Sequence, residues 1–408
     1  MSKVKLGDIT DSCLGKMLDA KKNKGTYHPY LANINVRWGE FDLNDLPLMR
    51  FEENEADRYG IQNGDLIMCE GGEPGRCAIW RNQIENLKIQ KALHRIRAKE
   101  GVSIEYLYYW FLLAGQKAML KGYFTETTIK HLPGDKLKTI ELDLPDYDNQ
   151  KKIAKVLSVI DEKIQNNKSI NDNLLNQLKT IYDYWFVQFD FPDGNGNPYR
   201  SSGGKLVWNE KLKRDIPTEW ICQNIRNLTS ITWGQCPDGK NILSKSANKK
   251  DLIDYCSGAG DMKGGFLVDC QAKTDNSKRF AYENDILVSV AGKIGDMCVV
   301  DHSISLGRAA MAFSANNYYE LTYIYLTLQA LNKKMTTIST GSIQKVINND
   351  HIDEFNFPYN EDIVAKFGKL TLNIFDELKQ TSIENRELTK LRDWLLPMLM
   401  NGQATIDD

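Results

Sequence analysis

Residues 64–80, GDLIMCEGGEPGRCAIW, align without a gap on residues 284–300, NDILVSVAGKIGDMCVV. Asp65, Gly72 and Gly75 fall on Asp285, Gly292 and Gly295, with apolar residues at matching places around them. A duplicated unit constrains architecture more firmly than local propensity does, because the same strand, glycine turn and strand must be built twice. Two further matches keep the same order. Residues 30–41, YLANINVRWGEF, match 255–266, YCSGAGDMKGGF, and set Tyr30, Gly39 and Phe41 beside Tyr255, Gly264 and Phe266. Residues 126–132, ETTIKHL, match 341–347, GSIQKVI, and each precedes a short strand that ends in proline, Pro145 or Pro358.

After each proline comes an acidic first turn, in PDYDNQKKIAKV and PYNEDIVAKF, whose charges suit the positive end of a helix dipole. In the first helix Ile153, Leu157, Ile160, Ile164, Asn167, Asn171, Leu174, Leu178, Ile181 and Trp185 alternate steps of three and four, the spacing of a coiled-coil seam. That run covers roughly 35 residues, or about 50 Å at 1.5 Å per residue. The second helix carries Phe367, Leu370, Ile374, Leu388, Leu391, Leu395 and Met398 at similar steps, interrupted by Glu377, Thr381 and Glu384, and Pro397 is expected to end it. Two such stripes can bury each other as an antiparallel pair, with Asn167 and Asn171 fixing register. The competing reading is two amphipathic helices, each packed on its own domain.

Between the halves, FPDGNGNPYRSSGGKLVWNEKLKRDIPTEW holds too much Gly, Pro, Asn and Ser for a continuous helix or central strand. From Trp220 the chain resumes with ICQNIRNLTS, where Ile225 and Leu228 repeat the spacing of Leu6 and Ile9. The expected division is a first domain at 1–145, a helix at 146–189, a connector at 190–219, a second domain at 220–358, a second helix at 359–400 and a tail at 401–408. The expected class is α/β (α+β), with mixed, mostly antiparallel sheet in both domains.

The formal net charge of −2 is unlike that of an autonomous DNA binder, which needs a basic excess to displace counterions from phosphates. Either DNA is not the ligand, or basic residues are concentrated locally and partners supply the rest. The local concentration exists. Arg76, Arg81, Lys88, Lys91, His94, Arg95 and Arg97 are interrupted by one acid, Glu85. Lys240, Lys245, Lys249 and Lys250 form a second cluster, and Lys293 and Arg308 occupy places in the second half comparable to those of the first cluster. The glycine hairpins can aim Glu73, Arg76 or Lys293 at base edges, since arginine and lysine pair with guanine and carboxylates accept from cytosine. In TETTIK and STGSIQK, Thr125, Thr128, Lys130, Ser342, Gln344 and Lys345 offer hydroxyl, amide and ammonium groups to phosphate oxygens. Simple helix capping by Thr127 or Ser342 competes with that role, as a solvated strand face does for each basic residue.

Several chemistries find no support. The eight cysteines include no Cys-x-x-Cys pair and the five histidines no partner at zinc-finger spacing, so reduced thiols and no structural metal are expected. No P-loop pattern occurs. The stretch DLIDYCSGAGDMKGG (251–265) has the glycine content of a methyltransferase cofactor loop, but its repeat partner lacks the glycines and the Asn/Asp-Pro-Pro-aromatic tetrapeptide is missing; NFPY (356–359) lacks the first proline. Asp285 with Lys293 has the residue types of a nuclease pair, yet the repeat partner couples Asp65 to Glu73, and an Asp opening a strand after Asn or Gly is a turn residue. With no long apolar run and no secretory leader, a cytoplasmic protein without membrane contact is expected.

PYLANINV followed by NGDLIMCEGGEPGRCAIW, a proline-terminated strand and IAKVLSVIDEKI resembles the specificity (S) subunits of type I restriction-modification enzymes, and so does the connector NPYRSSGGKLVWNEKLKRDIPTEW. The resemblance runs through essentially the whole chain, carried by the order and duplication of its motifs. It implies two target-recognition domains, each reading half of a bipartite, asymmetric site in double-stranded DNA, separated by helices acting as a ruler. Half-sites one turn of DNA apart lie near 34 Å centre to centre, within reach of helices about 50 Å long. It further implies two docked methyltransferase (M) subunits holding S-adenosylmethionine and methylating adenine at its amino group. Restriction (R) subunits with ATP and Mg complete the assembly, and this chain has no cofactor or catalysis of its own. Candidate docking residues are Ile153, Leu157, Ile160, Ile164, Leu174, Leu178, Trp185, Phe367, Leu370, Ile374, Leu388, Leu391 and Trp394, since Trp and Tyr anchor interfaces and a two-helix rod leaves apolar surface to cover. The alternatives are a stand-alone adenine DNA methyltransferase and a protein-binding scaffold that does not read DNA.

Overall fold

The computed structural model describes residues 2–19, 23–126, 130–263, 265–339 and 345–406. Thr128, Ser342, Gln344 and Gly264 lie outside them, as does Thr127. The chain forms two compact units, one of residues 1–164 with 388–408 and the other of residues 165–387.

In the first unit a four-stranded antiparallel sheet has the order Thr10–Leu14, Leu93–Ala98, Leu66–Cys69, Cys77–Ile79. Leu66–Cys69, sequence LIMC, is buried along its whole length, as a strand with apolar neighbours on both faces must be. A smaller sheet joins Thr26–Leu31 antiparallel to Leu48–Phe51 and parallel to Lys88–Ile89. The helix Ile104–Gln116 starts where the Ser103 hydroxyl accepts from the Tyr106 N–H at 3.2 Å, and it buries every side chain from Tyr106 to Ala114. Ser2–Lys5 pairs antiparallel with Glu141–Leu144 and closes the domain immediately before the first long helix, Tyr147–Tyr182.

The second unit repeats this plan. Its four-stranded antiparallel sheet runs Thr229–Trp233, Ala310–Ala315, Ile286–Ser289, Met297–Val299. Tyr255 and Cys256 pair in parallel with Ser305 and Leu306, as Tyr30 and Leu31 do with Lys88 and Ile89. Ile221–Asn224 pairs with Asn356–Tyr359 before the second long helix, Glu361–Met400, and the helix Leu321–Ala330 fills the place of Ile104–Gln116. The class is α/β with mixed, mostly antiparallel sheet; the two short parallel ladders named here are exceptions shared by both halves. Within the connector the structure has one hairpin, Leu206–Asn209 with Arg214–Pro217.

The long helices enter both cores. Ile153 and Leu157 pack with Leu396, Leu399 and Met400 in the first unit, while Leu178, Tyr182, Trp185 and Phe186 pack with Val364, Phe367, Phe375 and Leu378 in the second. Within the second unit the two helices run antiparallel. Asn167 donates to Glu384 at 2.7 Å, Asn171 donates to Ser382 at 3.1 Å, and the Thr381 hydroxyl donates to Asn171. The two asparagines thus sit as cross-links where both helices interrupt their apolar stripes. In the first unit Arg392 donates to Asp161 at 2.8 Å and Tyr109 donates to the same carboxylate at 2.9 Å.

Two expectations for the second helix need correction. Leu370 and Leu391, expected in the seam, face solvent; the docking candidate Trp394 is exposed as well. The buried stripe is instead Val364, Phe367, Phe375 and Leu378, because this helix must cover a domain core as well as its partner helix. Nor does Pro397 end the helix, which continues to Met400. Pro397 costs one backbone bond, and burial of Leu396, Leu399 and Met400 in the first core offsets it.

Candidate nucleic-acid interface

In each domain the repeated segment folds as strand, glycine turn and strand with the same bonds. Leu66, Ile67 and Met68 pair with Ile79, Ala78 and Cys77; Ile286, Leu287 and Val288 pair with Val299, Cys298 and Met297. The Gly75 N–H donates to the Cys69 carbonyl at 3.0 Å, and the Gly295 N–H donates to that of Ser289 at 3.0 Å. The turn glycines adopt φ values that favour glycine: +74° and +96° at Gly72 and Gly75, +76° and +88° at Gly292 and Gly295.

The third sequence match is found on the same edge. The Leu132 N–H donates to the Glu70 carbonyl at 2.7 Å and the Ile347 N–H to that of Val290 at 2.9 Å, while Gly71 bridges His131 and Ala291 bridges Val346. Lys130 and Thr125, in the short ladder Lys130–His131 with Thr125–Glu126, are thereby joined to the hairpin through the bridge of His131 to Gly71. Lys345 precedes Val346, which bridges Ala291 of the second hairpin, and Thr125, Lys130, Lys293 and Lys345 are all exposed.

The hairpin tip of the first domain is firmly held. Arg76 donates to Glu73 at 2.8 Å and to the Asn33 carbonyl and side-chain oxygens at 3.2 and 3.1 Å, and the Trp38 indole N–H donates to Glu73 at 3.0 Å. Asn33 in turn donates to the Gly71 carbonyl at 2.6 Å. In the second domain Lys293 pairs with Asp296. Asn332, from the far side of the chain, donates to the Gly295 carbonyl at 2.7 Å. An open cleft of about 340 Å³ beside this hairpin is lined by Lys263, Lys293, Asp296, Gln329 and Asn332 among others.

Other candidates are placed elsewhere. Arg95 is corrected to a structural residue. It is 4% exposed, and its guanidinium donates to the carbonyls of Asp57, Arg58 and Gly60 at 2.8, 2.8 and 3.2 Å. Lys88 and His94 of the same run are buried too, and burial lowers the pKa of each. Arg97 is paired with Asp65 at 2.6 Å and Arg81 with Glu105 at 3.0 Å, while Lys91 is half-buried. Lys240 and Lys245 lie at the edge of a separate five-stranded sheet, where Lys245 pairs with Asp269; Arg308 is exposed on the turn after Ile304–Leu306. Burial on both faces explains the error for the basic run: Leu93 to Ile96 are buried without a break, so His94 and Arg95, which point to opposite faces of the strand, are both covered.

Trp38, Asn33, Lys263 and Asn332 were missed. Asn33 lies within a matched segment, but its use is visible only once Gly71 is brought to it. Asn332 does the comparable work from a different part of the chain, so no local pattern marks it.

The glycine-rich stretch of the second half is structural. Ile253–Cys256 is a strand, and the Asp261 carboxylate accepts from the Ser257 N–H at 2.7 Å, the Ser257 hydroxyl at 2.6 Å and the Gln271 N–H at 2.9 Å. Asn35 does the same work in the first half, accepting from the Ala32 N–H at 2.9 Å. Beyond this point the match drifts: Phe41 packs edge-on to Trp80, whereas Phe266 packs against Tyr325 and Phe375. Among the described residues no His, Cys, Asp or Glu group is placed to hold a metal ion, and no helix is long and apolar enough to cross a membrane.

A protein built from two copies of one α/β domain, each closed by a long helix and each presenting a held glycine hairpin, has known relatives. The family model of the type I restriction modification DNA specificity domain matches residues 1–176 and 227–391, and the chain belongs to that family. It is 24% identical over 363 residues to the type I restriction enzyme MjaIX specificity subunit of Methanocaldococcus jannaschii, covering 85% of this chain and 78% of that protein. It is 21% identical over 412 residues to the HindI specificity subunit of Haemophilus influenzae, covering 85% and 88%. The crystal structure of a type I restriction-modification S subunit from M. genitalium has the same fold, with a TM-score of 0.57 at 18% identity, over 100% of this chain and 96% of that one.

Proposed function

We propose that this chain is the non-catalytic, DNA-reading subunit of a type I restriction-modification complex, each domain reading one half of a bipartite site in double-stranded DNA. The observation that carries the reading is the hairpin edge built twice, with one backbone and different side chains. An identical scaffold with changed tips is what two different half-sites require. The long helices dock methyltransferase subunits through what they leave exposed, chiefly Leu370, Leu391 and Trp394; Ile153, Leu157, Leu178 and Phe367 serve the cores instead. S-adenosylmethionine belongs to the methyltransferase subunits, and ATP with Mg to restriction subunits that join them.

The test is methylome sequencing of a host lacking modification, carrying this chain with its cognate methyltransferase subunit, against the methyltransferase alone. Adenine methylation at one split motif that depends on this chain is the expected result. Methylation by this chain without its partner, or a soluble complex that modifies no site, would overturn the reading.

A further inference from the structure

The hairpin tips carry the same i,i+3 ion pair in opposite order. Glu73 and Arg76 in the first domain stand where Lys293 and Asp296 stand in the second, by the alignment that the strand register bears out. In each pair the first member is the exposed one: Glu73 is 56% and Lys293 66% exposed, against 18% for Arg76 and 16% for Asp296. The inner member is anchored below the tip. Arg76 is bound to Asn33, and the Asp296 N–H donates to the Ser289 hydroxyl at 2.9 Å. Arg76 and Asp296 are thus positioning residues, each steering an opposite charge outward.

We infer that the first hairpin selects a base that offers an amino group, cytosine foremost, through Glu73, and that the second selects guanine through Lys293. The inference rests on the DNA-reading function proposed above. An ionised carboxylate can only accept hydrogen bonds, and phosphates repel it, so a hairpin tip that carries Glu73 onto DNA must sit over a groove, where the cytosine N4 amine is its partner. Lys293 occupies the equivalent place on the repeated scaffold, and an ammonium group can only donate; guanine O6 and N7 are the strongest acceptor pair in the major groove. Lys293 gives one bond to Asp296 and keeps two donors. Both Glu73 oxygens already accept one bond, from Trp38 and from Arg76, which fixes the carboxylate plane and leaves lone pairs for a base.

The experiment is methylome sequencing of three complexes with the methyltransferase subunit: the parent chain, Glu73→Lys combined with Arg76→Asp, and Glu73→Gln. The combined variant writes the second domain's pair into the first. One position of the first half-site is expected to change from cytosine to guanine, with at least a tenfold loss of methylation at the original sites and no change in the second half-site. Glu73→Gln, which keeps the shape while its amide both accepts and donates, is expected to relax that same position. A parent motif that neither variant alters would overturn this inference and leave the DNA-reading function standing. Loss of all methylation by both variants in soluble, assembled complexes would make the ion pair structural and overturn it as well. A parent complex without any motif would remove the function on which it rests.

Discussion

Asp65 and Asp285 open the same strand in the two domains, and each carboxylate accepts a backbone N–H from three residues upstream, Gln62 and Tyr282, at 2.7 Å. What faces them on the neighbouring strand differs. In the first domain it is Arg97, donating at 2.6 and 3.1 Å; at the equivalent register in the second it is Ser314. With no cation opposite, burial raises the Asp285 pKa from its ordinary value. The turn needs an acceptor at this position and both copies keep one, but only one copy balances its charge. Backbone bonds are what the duplication preserves, and the charge around them is free to vary.

The strongest challenge to that equivalence is a methyl group at the second turn glycine. At Gly295 a Cβ would lie 2.3 Å from the Asn332 side-chain oxygen, and at Gly75 it would lie 2.6 Å from the end of the Leu120 side chain. Both positions also have positive φ, which strains any L side chain. Leu120 can swing aside, whereas Asn332 is pinned by its bond to the Gly295 carbonyl. Gly295→Ala is therefore expected to cost about 3 kcal/mol and Gly75→Ala about 1–2 kcal/mol, read by hydrogen exchange in each hairpin. Equal costs would mean that Asn332 does not brace its hairpin.

Next in size is Asp65→Asn. It leaves the half-buried Arg97 without its buried counter-charge, and is expected to destabilise the first domain by about 2 kcal/mol in chemical denaturation. Asp285→Asn is the matched control. The amide oxygen still accepts from Tyr282 and the Ser314 hydroxyl can turn to meet it, so at pH 7 this variant is expected to equal or exceed the parent by up to about 0.5 kcal/mol. The sign with pH follows from the raised pKa: the native state holds a proton that the unfolded chain releases, so this group's contribution falls as pH climbs through the ordinary carboxylate range and above. The advantage of Asp285→Asn should therefore vanish in acid. An Asp285→Asn loss as large as that of Asp65→Asn would erase the distinction between the two domains.

Much of this arrangement was legible in the sequence because backbone geometry leaves marks in residue type. Gly72, Gly75, Gly292 and Gly295 report positive φ directly, and the ungapped match carried the register of two ladders. The polar cross-links at Asn167 and Asn171 were legible too, as interruptions of an apolar period. What the sequence hid is whatever depends on distant partners. Arg95 reads like any surface arginine until three carbonyls close around it. Leu370 and Leu391 keep the seam's spacing but not its direction, since a helix that covers a core and a partner at once has a wider stripe than a coiled-coil period describes. The opposite order of the two tip ion pairs was printed in the sequence, yet it carried no meaning until the exposed member of each pair was known.

The smallest expected effect concerns the residues just past the hairpin, where the alignment sets Arg81 and Asn82 against Asp301 and His302. Arg81 pairs within its own domain, with Glu105, whereas Asp301 pairs with Arg386 of the second long helix. His302 lies between two carboxylates, with Asp254 at 3.0 Å from one ring nitrogen and Asp301 at 3.0 Å from the other, and these bonds raise its pKa to about 9. A raised pKa means that the stabilisation is complete below the unfolded value of roughly 6.5 and is lost as pH rises through about 9. Because 44% of the side chain is exposed, solvent screens the pair, and the loss should stay under about 1 kcal/mol, or about 2 °C in Tm. The second domain is thus expected to soften slightly between pH 7 and 10 while the first does not, and His302→Gln should flatten that slope. Hydrogen exchange at 253–256 and 304–306 reads the difference locally; a slope that His302→Gln leaves unchanged would assign it to other groups, and the contrast between Arg81 and Asp301 would then be one of pairing alone.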